Sequence, residues 1–283
     1  MTDRTSSTIQ AEMIEEFQEY LRKEERAAAT IMKYSHDLRM FITFLSGRAV
    51  DKEQVIRYKE WLLRSYRVRS VNSMIAALNC FLEFAGWREY RVKLVKVQRK
   101  LCSEEAKELQ KKEYVRLIQT AQSRGKERLA ILMQTLCSLG LRVSELHFVT
   151  VEAVKTGSLQ IFNKGKNRSM IVSGKLRQQL LLYIKKQELS KGEIFITRTG
   201  RPMDRSNIWR EMKSLYIEAH VMAQKIFPHN LRHLFARTFY AMGKDVVKLA
   251  DIMGHSNIET TRIYTTSSGR EYRQQLEALE LIL

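Results

Sequence analysis

The sequence predicts a mainly α-helical protein of two domains that contains one small antiparallel β-sheet. Its 283 residues suit two domains of ordinary size. Only two prolines and twelve glycines occur, so long stretches lack the residues that break helices. Apolar residues recur at helical spacing through most of the chain, but the period shortens to two between residues 149 and 173.

Residues 1–90 are predicted to form a four-helix domain. Four apolar stripes at helical spacing lie between residues 9 and 88. Gly47 and Gly86 follow two of these stripes, at positions where glycine often ends a helix. Thr30 and Ser70 are predicted to cap helix N-termini. The aromatic residues within the stripes are expected to be core residues.

Residues 91–108 are predicted to be a basic linker, because 91–100 carry five basic residues, no acidic residue and no periodic pattern. The second domain, 109–283, is expected to be helical from Lys111 to about Cys137 and again from about residue 175. Strands are predicted for VTVEAV, SLQIF and SMIVS, which start at residues 149, 158 and 169, and for IFIT from residue 194. An amphipathic helix is predicted over 270–283, after a Ser-Ser-Gly hinge.

The net charge of +18, from 49 basic and 31 acidic residues, favours a polyanionic partner such as nucleic acid. The alternative is that the charge only maintains solubility. The N-terminal 90 residues carry 14 basic and 13 acidic residues, so the excess lies in the linker and the second domain. The predicted DNA contacts are basic residues of one inter-helix turn, of the linker and of a hairpin: Arg64, Arg67, Arg69, Lys93, Lys96, Arg99, Lys100, Lys166 and Arg168.

Several function classes are disfavoured by missing motifs. The sequence has no P-loop, no dinucleotide-binding glycine motif, no zinc-protease motif and no cluster of carboxylates typical of two-metal nucleases. We therefore expect no cofactor and no metal, and any phosphodiester chemistry would depend on basic side chains. Three cysteines without a C-x-x-C pair are expected to stay reduced. With no predicted signal peptide or membrane span, a cytoplasmic location is expected.

Two short segments carry the densest candidate chemistry. His229, Arg232 and His233 would share one face of a helix, where they could bind a phosphate, although a solvated polar face is the simpler interpretation. Arg142 lies among apolar residues just after a glycine, and Glu145 follows three residues later. Glu145 could form an ordinary ion pair with Arg142 or orient it toward a phosphate.

Three further residues are individually weak candidates. Lys164 lies at the predicted hairpin turn, where a lysine could enter a DNA groove. His255 follows the apolar helix VVKLADIM, and Tyr264 lies nine residues further on. A tyrosine acts as a nucleophile only if cations stabilise its phenolate or a base removes its proton.

Taken in order, these segments resemble the tyrosine site-specific recombinases of the phage integrase and Xer type. The matching strings are GLRVSEL, the lysine hairpin, PHNLRHLFART, MGHSNIETT and IYT, and they cover residues 140–265. The four-helix unit resembles the SAM-like core-binding domain of that family, and 109–283 resembles its catalytic domain. The hairpin NKGKNRS is shorter than in many members, which leaves both Lys164 and Lys166 as candidates for the catalytic lysine; strand register favours Lys164. His255 fills a position that is Trp in some members.

The resemblance implies a role for each residue. Tyr264 would attack a DNA phosphorus, forming a 3′-phosphotyrosyl bond and releasing a 5′-hydroxyl. Arg142 and Arg232 would stabilise the charge on the non-bridging oxygens, and Lys164 would protonate the leaving oxygen. His229 would be the general base and His255 would donate a hydrogen bond to the phosphate, with Glu145 and His233 in support.

The resemblance also implies the partners. The substrate would be double-stranded DNA with inverted-repeat-like core sites, and strands would be exchanged through a Holliday junction by a homotetramer on two sites. The free protein would be a monomer in a bacterial cytoplasm, associated with the nucleoid and not with a membrane. Two alternatives are a type IB topoisomerase-like enzyme and a catalytically inactive DNA-binding regulator of the same fold.

Overall fold

The computed structural model describes residues 8–96, 107–163, 166–197, 199–255, 257–264 and 277–278. The chain divides into two compact units, Met1–Arg99 and Lys100–Leu283. The predicted fold class is confirmed, since helices dominate and the two strands form one antiparallel pair. No helix of the described ranges is long and apolar enough to cross a membrane.

The first unit is built from four α-helices, as the four apolar stripes predict. They are α1 (Ala11–Lys23), α2 (Ala28–Leu45), α3 (Lys52–Ser65) and α4 (Val68–Phe84). Their apolar faces enclose one core in which the rings of Phe17 and Phe81 meet edge to face. The N-cap predictions for Thr30 and Ser70 are wrong, because both residues lie inside helices that begin at Ala28 and Val68.

Residues 91–96, the first part of the predicted linker, are bound along α4. The carboxamide of Asn79 donates to the Val92 carbonyl (2.8 Å) and accepts from the Val92 amide (3.0 Å). Asn72 forms the same pair of hydrogen bonds with Val95, at 2.9 and 2.8 Å. Seven residues of helix rise about 10.5 Å, and three residues of extended chain span about 10 Å. The two spacings match, so one helix face can hold two points of the extended segment.

The other end of the predicted linker is packed on the second unit. The side chain of Asn230 donates to the Lys107 carbonyl (2.9 Å), and Arg237 forms an ion pair with Glu108. The start of the segment 91–108 is therefore bound to the first unit, and its end is bound to the second unit. Arg99 and Lys100, two of its predicted DNA contacts, lie outside the described residues.

The second unit contains seven α-helices and one two-stranded sheet within its described residues. Two 3₁₀ turns, Ile258–Thr260 and Arg262–Tyr264, follow the last of these helices along the chain. The apolar helix α6 lies in the core, and α10 packs against it. The elements are α5 (Lys111–Ser123), α6 (Glu127–Leu139), a 3₁₀ segment (Val143–Phe148), α7 (Val151–Thr156), β1 (Ser158–Asn163), β2 (Lys166–Ile171), α8 (Gly174–Lys186), α9 (Arg205–Lys213), α10 (Pro228–Gly243) and α11 (Val246–Met253).

The structure corrects the strand prediction for VTVEAV, most of which forms helix α7. The hydroxyl of Thr150 accepts a hydrogen bond from the Ala153 amide and caps the helix, and Gly157, with φ of 80°, ends it. Val151 and Val154 are three residues apart and both fully buried, which is a helical spacing. Strands β1 and β2 pair as SLQIF and SMIVS predict, with Ser158 opposite Ile171. The segment IFIT contributes only an isolated bridge between Ile196 and Pro202.

Candidate active site

The turn after α6 brings Arg142 against α10. Gly140 ends α6 in the left-handed conformation, with φ of 60°. A Cβ at this position would lie 2.4 Å from Cδ1 of Phe235, so the close approach of the turn to α10 requires glycine. Arg142 then forms the N-cap of the 3₁₀ segment, and its backbone amide donates to the carboxylate of Glu145 at 2.9 Å.

Glu145 is a fully buried carboxylate that binds two arginines. Its Oε1 accepts from Nη1 of Arg142 (2.7 Å), and its Oε2 accepts from Nη2 of Arg168 (2.8 Å). Burial alone would raise the pKa of Glu145. The hydrogen bonds from the backbone and side chain of Arg142 and the charges of both arginines outweigh it, so the pKa lies below its ordinary value. The ionised carboxylate thus holds the Arg142 guanidinium in place.

Arg232, on α10, is the most deeply buried arginine of the site, with 1% of its surface exposed. Its guanidinium donates to the Gly140 carbonyl (2.5 Å) and the Met253 carbonyl (2.7 Å). These carbonyls belong to the C-terminal ends of α6 and α11, where the helix dipole favours a cation. Burial, followed by repulsion from Arg142, lowers the pKa of Arg232 to about 10, so it remains charged at neutral pH.

His255 follows α11 and bridges Arg232 to Thr261. Its Nε2 lies 2.9 Å from Nη2 of Arg232, and its Nδ1 lies 2.8 Å from the hydroxyl of Thr261. A guanidinium only donates, so Nε2 is the acceptor and the proton is on Nδ1. Burial, then repulsion from Arg232, lowers the pKa of His255 to about 4, and the ring is neutral at pH 7. Hydrogen bonding to a phosphate, the role expected for His255, therefore requires the contact between His255 and Arg232 to break and the proton to shift to Nε2.

The phenol of Tyr264 lies inside this cluster, with 3% of the residue exposed. Its ring stacks on His255 at a centroid distance of 6.1 Å and meets His233 edge to face at 4.8 Å. Burial raises the pKa of Tyr264, and the charge of Arg232 opposes that rise without cancelling it. The phenol is therefore protonated at neutral pH and needs a base before it can act as a nucleophile.

Two histidines of α10 lead from Tyr264 to the surface. The ring of His233 meets that of His229 at 4.6 Å, and His229 is exposed near the start of the helix. Burial, then the charge of a neighbouring His229, lowers the pKa of His233 to about 4. Desolvation and nearby arginines also lower the pKa of His229. The ring of His233, and not that of His229, contacts the ring of Tyr264.

The predicted site residues of the hairpin have different outcomes. Lys164 lies outside the described residues, and Lys166 begins strand β2. Arg168 does not extend to the surface as a DNA contact would: its side chain is 15% exposed and is bound to Glu145. The prediction that Arg168 contacts DNA therefore needs correction. Nothing in the sequence indicated the contact between Arg168 and Glu145, because the two residues lie 23 positions apart.

The predicted DNA contacts of the first unit are exposed in the structure. The residues concerned are Arg64, Arg67, Arg69, Lys93 and Lys96. Within the described ranges, no group of three or more His, Cys, Asp or Glu side chains could hold a metal ion. The sequence also did not single out Thr261, which is fully buried and orients His255. Its only signal was its place as the last residue of the matching string MGHSNIETT.

The chain is similar to known protein families and to a known recombinase along most of its length. Residues 107–271 match the model of the Phage integrase family, and residues 14–89 match that of the phage integrase N-terminal SAM-like domain. The chain is 27% identical to the tyrosine recombinase XerA of Pyrococcus furiosus over 286 residues, covering 97% of this chain and 96% of that protein.

Solved structures show the same fold. A XerH site-specific recombinase bound to palindromic difH substrate, in a post-cleavage complex, aligns with a TM-score of 0.74 at 16% identity, over 97% of this chain and 91% of that one. A lambda integrase tetramer bound to a Holliday junction aligns with a TM-score of 0.72 at 14% identity, over 92% and 78% of the two chains. The family match covers more than half of the sequence. This chain therefore belongs to the phage integrase family, the tyrosine site-specific recombinases.

Proposed function

We propose that this protein cuts and rejoins DNA at specific sites with Tyr264 as its nucleophile. The observation that carries the proposal is the burial of the Tyr264 phenol in its own chain's cluster of Arg142, Arg232 and His255. The phenol oxygen would bond to a phosphorus, and the bond from that phosphorus to the 5′-oxygen would break. A 3′-phosphotyrosyl link and a 5′-hydroxyl result, and the phosphodiester energy is retained for rejoining.

Arg142 and Arg232 would bind the non-bridging oxygens of that phosphate. In the transition state these oxygens carry concentrated negative charge, and preorganised donors stabilise it without rearranging. Both guanidinia are held by groups of the protein, Arg142 by Glu145 and Arg232 by two carbonyls. A phosphate would also replace the Arg232 contact of His255 and could accept a hydrogen bond from that ring.

The proton of the phenol would pass to the histidines of α10. His233 is neutral at pH 7 and contacts the Tyr264 ring, and His229 connects it to solvent. We propose His233 as the first acceptor and His229 as its exit, in place of a direct transfer to His229. Lys164, on its resemblance to the family's lysine, would protonate the leaving 5′-oxygen.

The domains would divide the work as in other members of the family. Residues 1–90 would bind the core site with their exposed basic residues, 91–108 would connect the units, and 109–283 would carry out catalysis. The DNA would be a duplex with inverted-repeat-like core sites. A homotetramer on two sites would exchange strands through a Holliday junction, with the predicted helix 270–283, which lies almost wholly outside the described residues, joining neighbouring protomers.

The test of this function is covalent capture on a nicked suicide duplex. The wild-type protein should form a DNA adduct that resists denaturation, and Tyr264→Phe should bind the duplex equally well and form none. An adduct with the Phe variant would remove Tyr264 from the reaction. A two-site plasmid then separates a recombinase, which yields joined sites, from a topoisomerase-like enzyme, which yields topoisomers only. An inactive regulator would bind the duplex without forming an adduct.

A further inference from the structure

Strand β2 sends Arg168 into the active site rather than toward solvent. Its Nη2 donates to Oε2 of Glu145 at 2.8 Å, and its Nη1 donates to the carbonyl of Met253 at 2.9 Å. The fold makes room for this guanidinium at Gly254, where an added Cβ would lie 1.9 Å from Nη1. Gly254 also has φ of 62°, so both its conformation and the neighbouring arginine require glycine.

Both acceptors of Arg168 also hold an arginine of the proposed phosphate site. Glu145 binds the guanidinium and backbone of Arg142, and the Met253 carbonyl binds Nη2 of Arg232 at 2.7 Å. Arg168 is therefore the common neighbour of two contacts that fix the two phosphate-binding arginines. A planar guanidinium can bridge two acceptors in fixed directions, whereas a lysine ammonium acts as a single point.

Removing the Arg168 guanidinium would disturb both arginines. Oε2 of Glu145 would lose a charged partner, so the carboxylate could rotate and draw Arg142 with it. The Met253 carbonyl would keep only the Arg232 contact, and the chain that leads into His255 would lose its link to β2. Small displacements of catalytic groups have large effects, since a 1 Å misplacement can lower a rate by about 10²-fold.

We propose that Arg168 is a positioning residue for DNA cleavage, which holds Arg142 and Arg232 in the geometry that receives the scissile phosphate. It acts through Glu145 and the Met253 carbonyl and does not itself touch DNA. The proposal rests on the proposed function, because it assigns Arg168 to the same site and reaction. It replaces the expectation that Arg168 is one of several surface contacts to the phosphate backbone.

The experiment compares Arg168→Met and Arg168→Lys in the full chain with wild type. A matched control is Arg177→Met, because Arg177 also donates to two carbonyls, those of Val154 (3.0 Å) and Lys155 (2.5 Å), from helix α8. Thermal unfolding and gel shift check the fold and DNA binding. The rate of adduct formation is measured on a suicide duplex with an ordinary scissile phosphate. It is also measured on two duplexes in which one or the other diastereomer of a methylphosphonate replaces the scissile phosphate. The methylphosphonate lacks the phosphate's negative charge and so depends less on well-placed arginines.

On the ordinary substrate, Arg168→Met should slow adduct formation about 10- to 100-fold, and Arg168→Lys should be slowed less because it keeps the charge. On at least one methylphosphonate diastereomer, the difference from wild type should shrink to within a few-fold. Arg177→Met should cleave both substrates at the wild-type rate, and all variants should bind the duplex normally.

Equal rates for Arg168→Met and wild type on the ordinary substrate would overturn the proposal. So would an equal loss on both substrates, which would indicate a structural defect, or a loss of DNA binding that accounts for the slower rate. If Arg168→Met does not fold, the rates of Arg168→Lys and wild type on the two kinds of substrate test the proposal in the same way. A wild-type protein that forms no adduct would refute the proposed function itself, which is a different outcome from any of these.

Discussion

Replacing Glu145 by glutamine should strongly destabilise the second unit. The substitution keeps the size of the side chain but removes the negative charge that three nearby arginines share. In the wild-type protein the carboxylate accepts from the Arg142 amide, from the Arg142 guanidinium and from Arg168, and Nη1 of Arg232 lies 3.9 Å away. All of these neighbouring groups are hydrogen-bond donors, so the NH₂ group of the glutamine would face another donor and one of the hydrogen bonds would be lost.

The magnitude follows from the burial of the carboxylate. Breaking a buried ion pair by neutralising one partner costs about 3–5 kcal/mol, because the remaining charges stay desolvated. We expect the free energy of unfolding of Glu145→Gln, from urea denaturation at pH 7, to fall by that amount. Since the pKa of Glu145 is lowered in the folded protein, its contribution is present above the ordinary value of 4.5 and is lost as the pH falls through the folded value. The difference between variant and wild type should therefore shrink in acid.

The control is Glu127→Gln, which removes the charge from an exposed pair with Lys186 in the same unit. It should cost less than about 1 kcal/mol. Sulfate should stabilise Glu145→Gln more than wild type, because an anion in the site would replace part of the lost charge. A Glu145→Gln protein within about 1 kcal/mol of wild type, or a control equally destabilised, would refute this account of the buried carboxylate.

Four further predictions concern the reaction and its assembly. Arg142→Lys and Arg232→Lys should each slow adduct formation on a suicide duplex by about 10²-fold or more, since lysine lacks the bidentate fork; near-normal rates would place both outside the site. The free energy of unfolding should fall as the pH is lowered from 7 to 5, because His255 has a folded pKa of about 4 and the unfolded state takes up a proton first. His255→Gln should weaken this pH dependence, and an unchanged pH dependence in the variant would contradict the prediction. A fragment of residues 100–283 should bind its DNA site more weakly than the whole chain and with a shallower salt dependence in gel shifts; equal affinity and slope would exclude a clamp by both units. Deleting 270–283 should leave single-site binding intact but impair synapsis in sedimentation and recombination on a two-site plasmid, and normal recombination would exclude that role.

The helices could be predicted because their signal is local. The stripe of Phe17 and Leu21 and its three counterparts repeat within single segments, so each helix reveals its buried face without knowledge of its neighbours. The strand prediction for VTVEAV failed because Val149 and Val151 alternate like a strand, while Val151 and Val154 have the spacing of a helix. The cap at Thr150 and the left-handed Gly157 decide for the helix.

The active site could be predicted only in part, because much of it depends on contacts between distant residues. Arg142, Arg232 and Tyr264 were found because the family's strings surround them, although ordinary motif chemistry left each one weak. The pairing of Arg168 with Glu145 has no local signature, since it depends on where β2 lies relative to the turn after α6. The placement of His233 against Tyr264 likewise depends on the last 3₁₀ turn folding back onto α10.

The two asparagines of α4 fix the spacing of the two points at which the extended segment 91–96 is held. One heptad before Asn72 lies Ser65 and one heptad after Asn79 lies Gly86, and both fall outside the helix Val68–Phe84. The segment cannot slide along the helix and find a second pair of carboxamides. An insertion or deletion between Val92 and Val95 would therefore break one of the two brackets, at a cost of about 1–3 kcal/mol for each group left unpaired. The two contacts thus fix the number of residues between the held points, and Lys93 and Lys96 each directly follow one of those points.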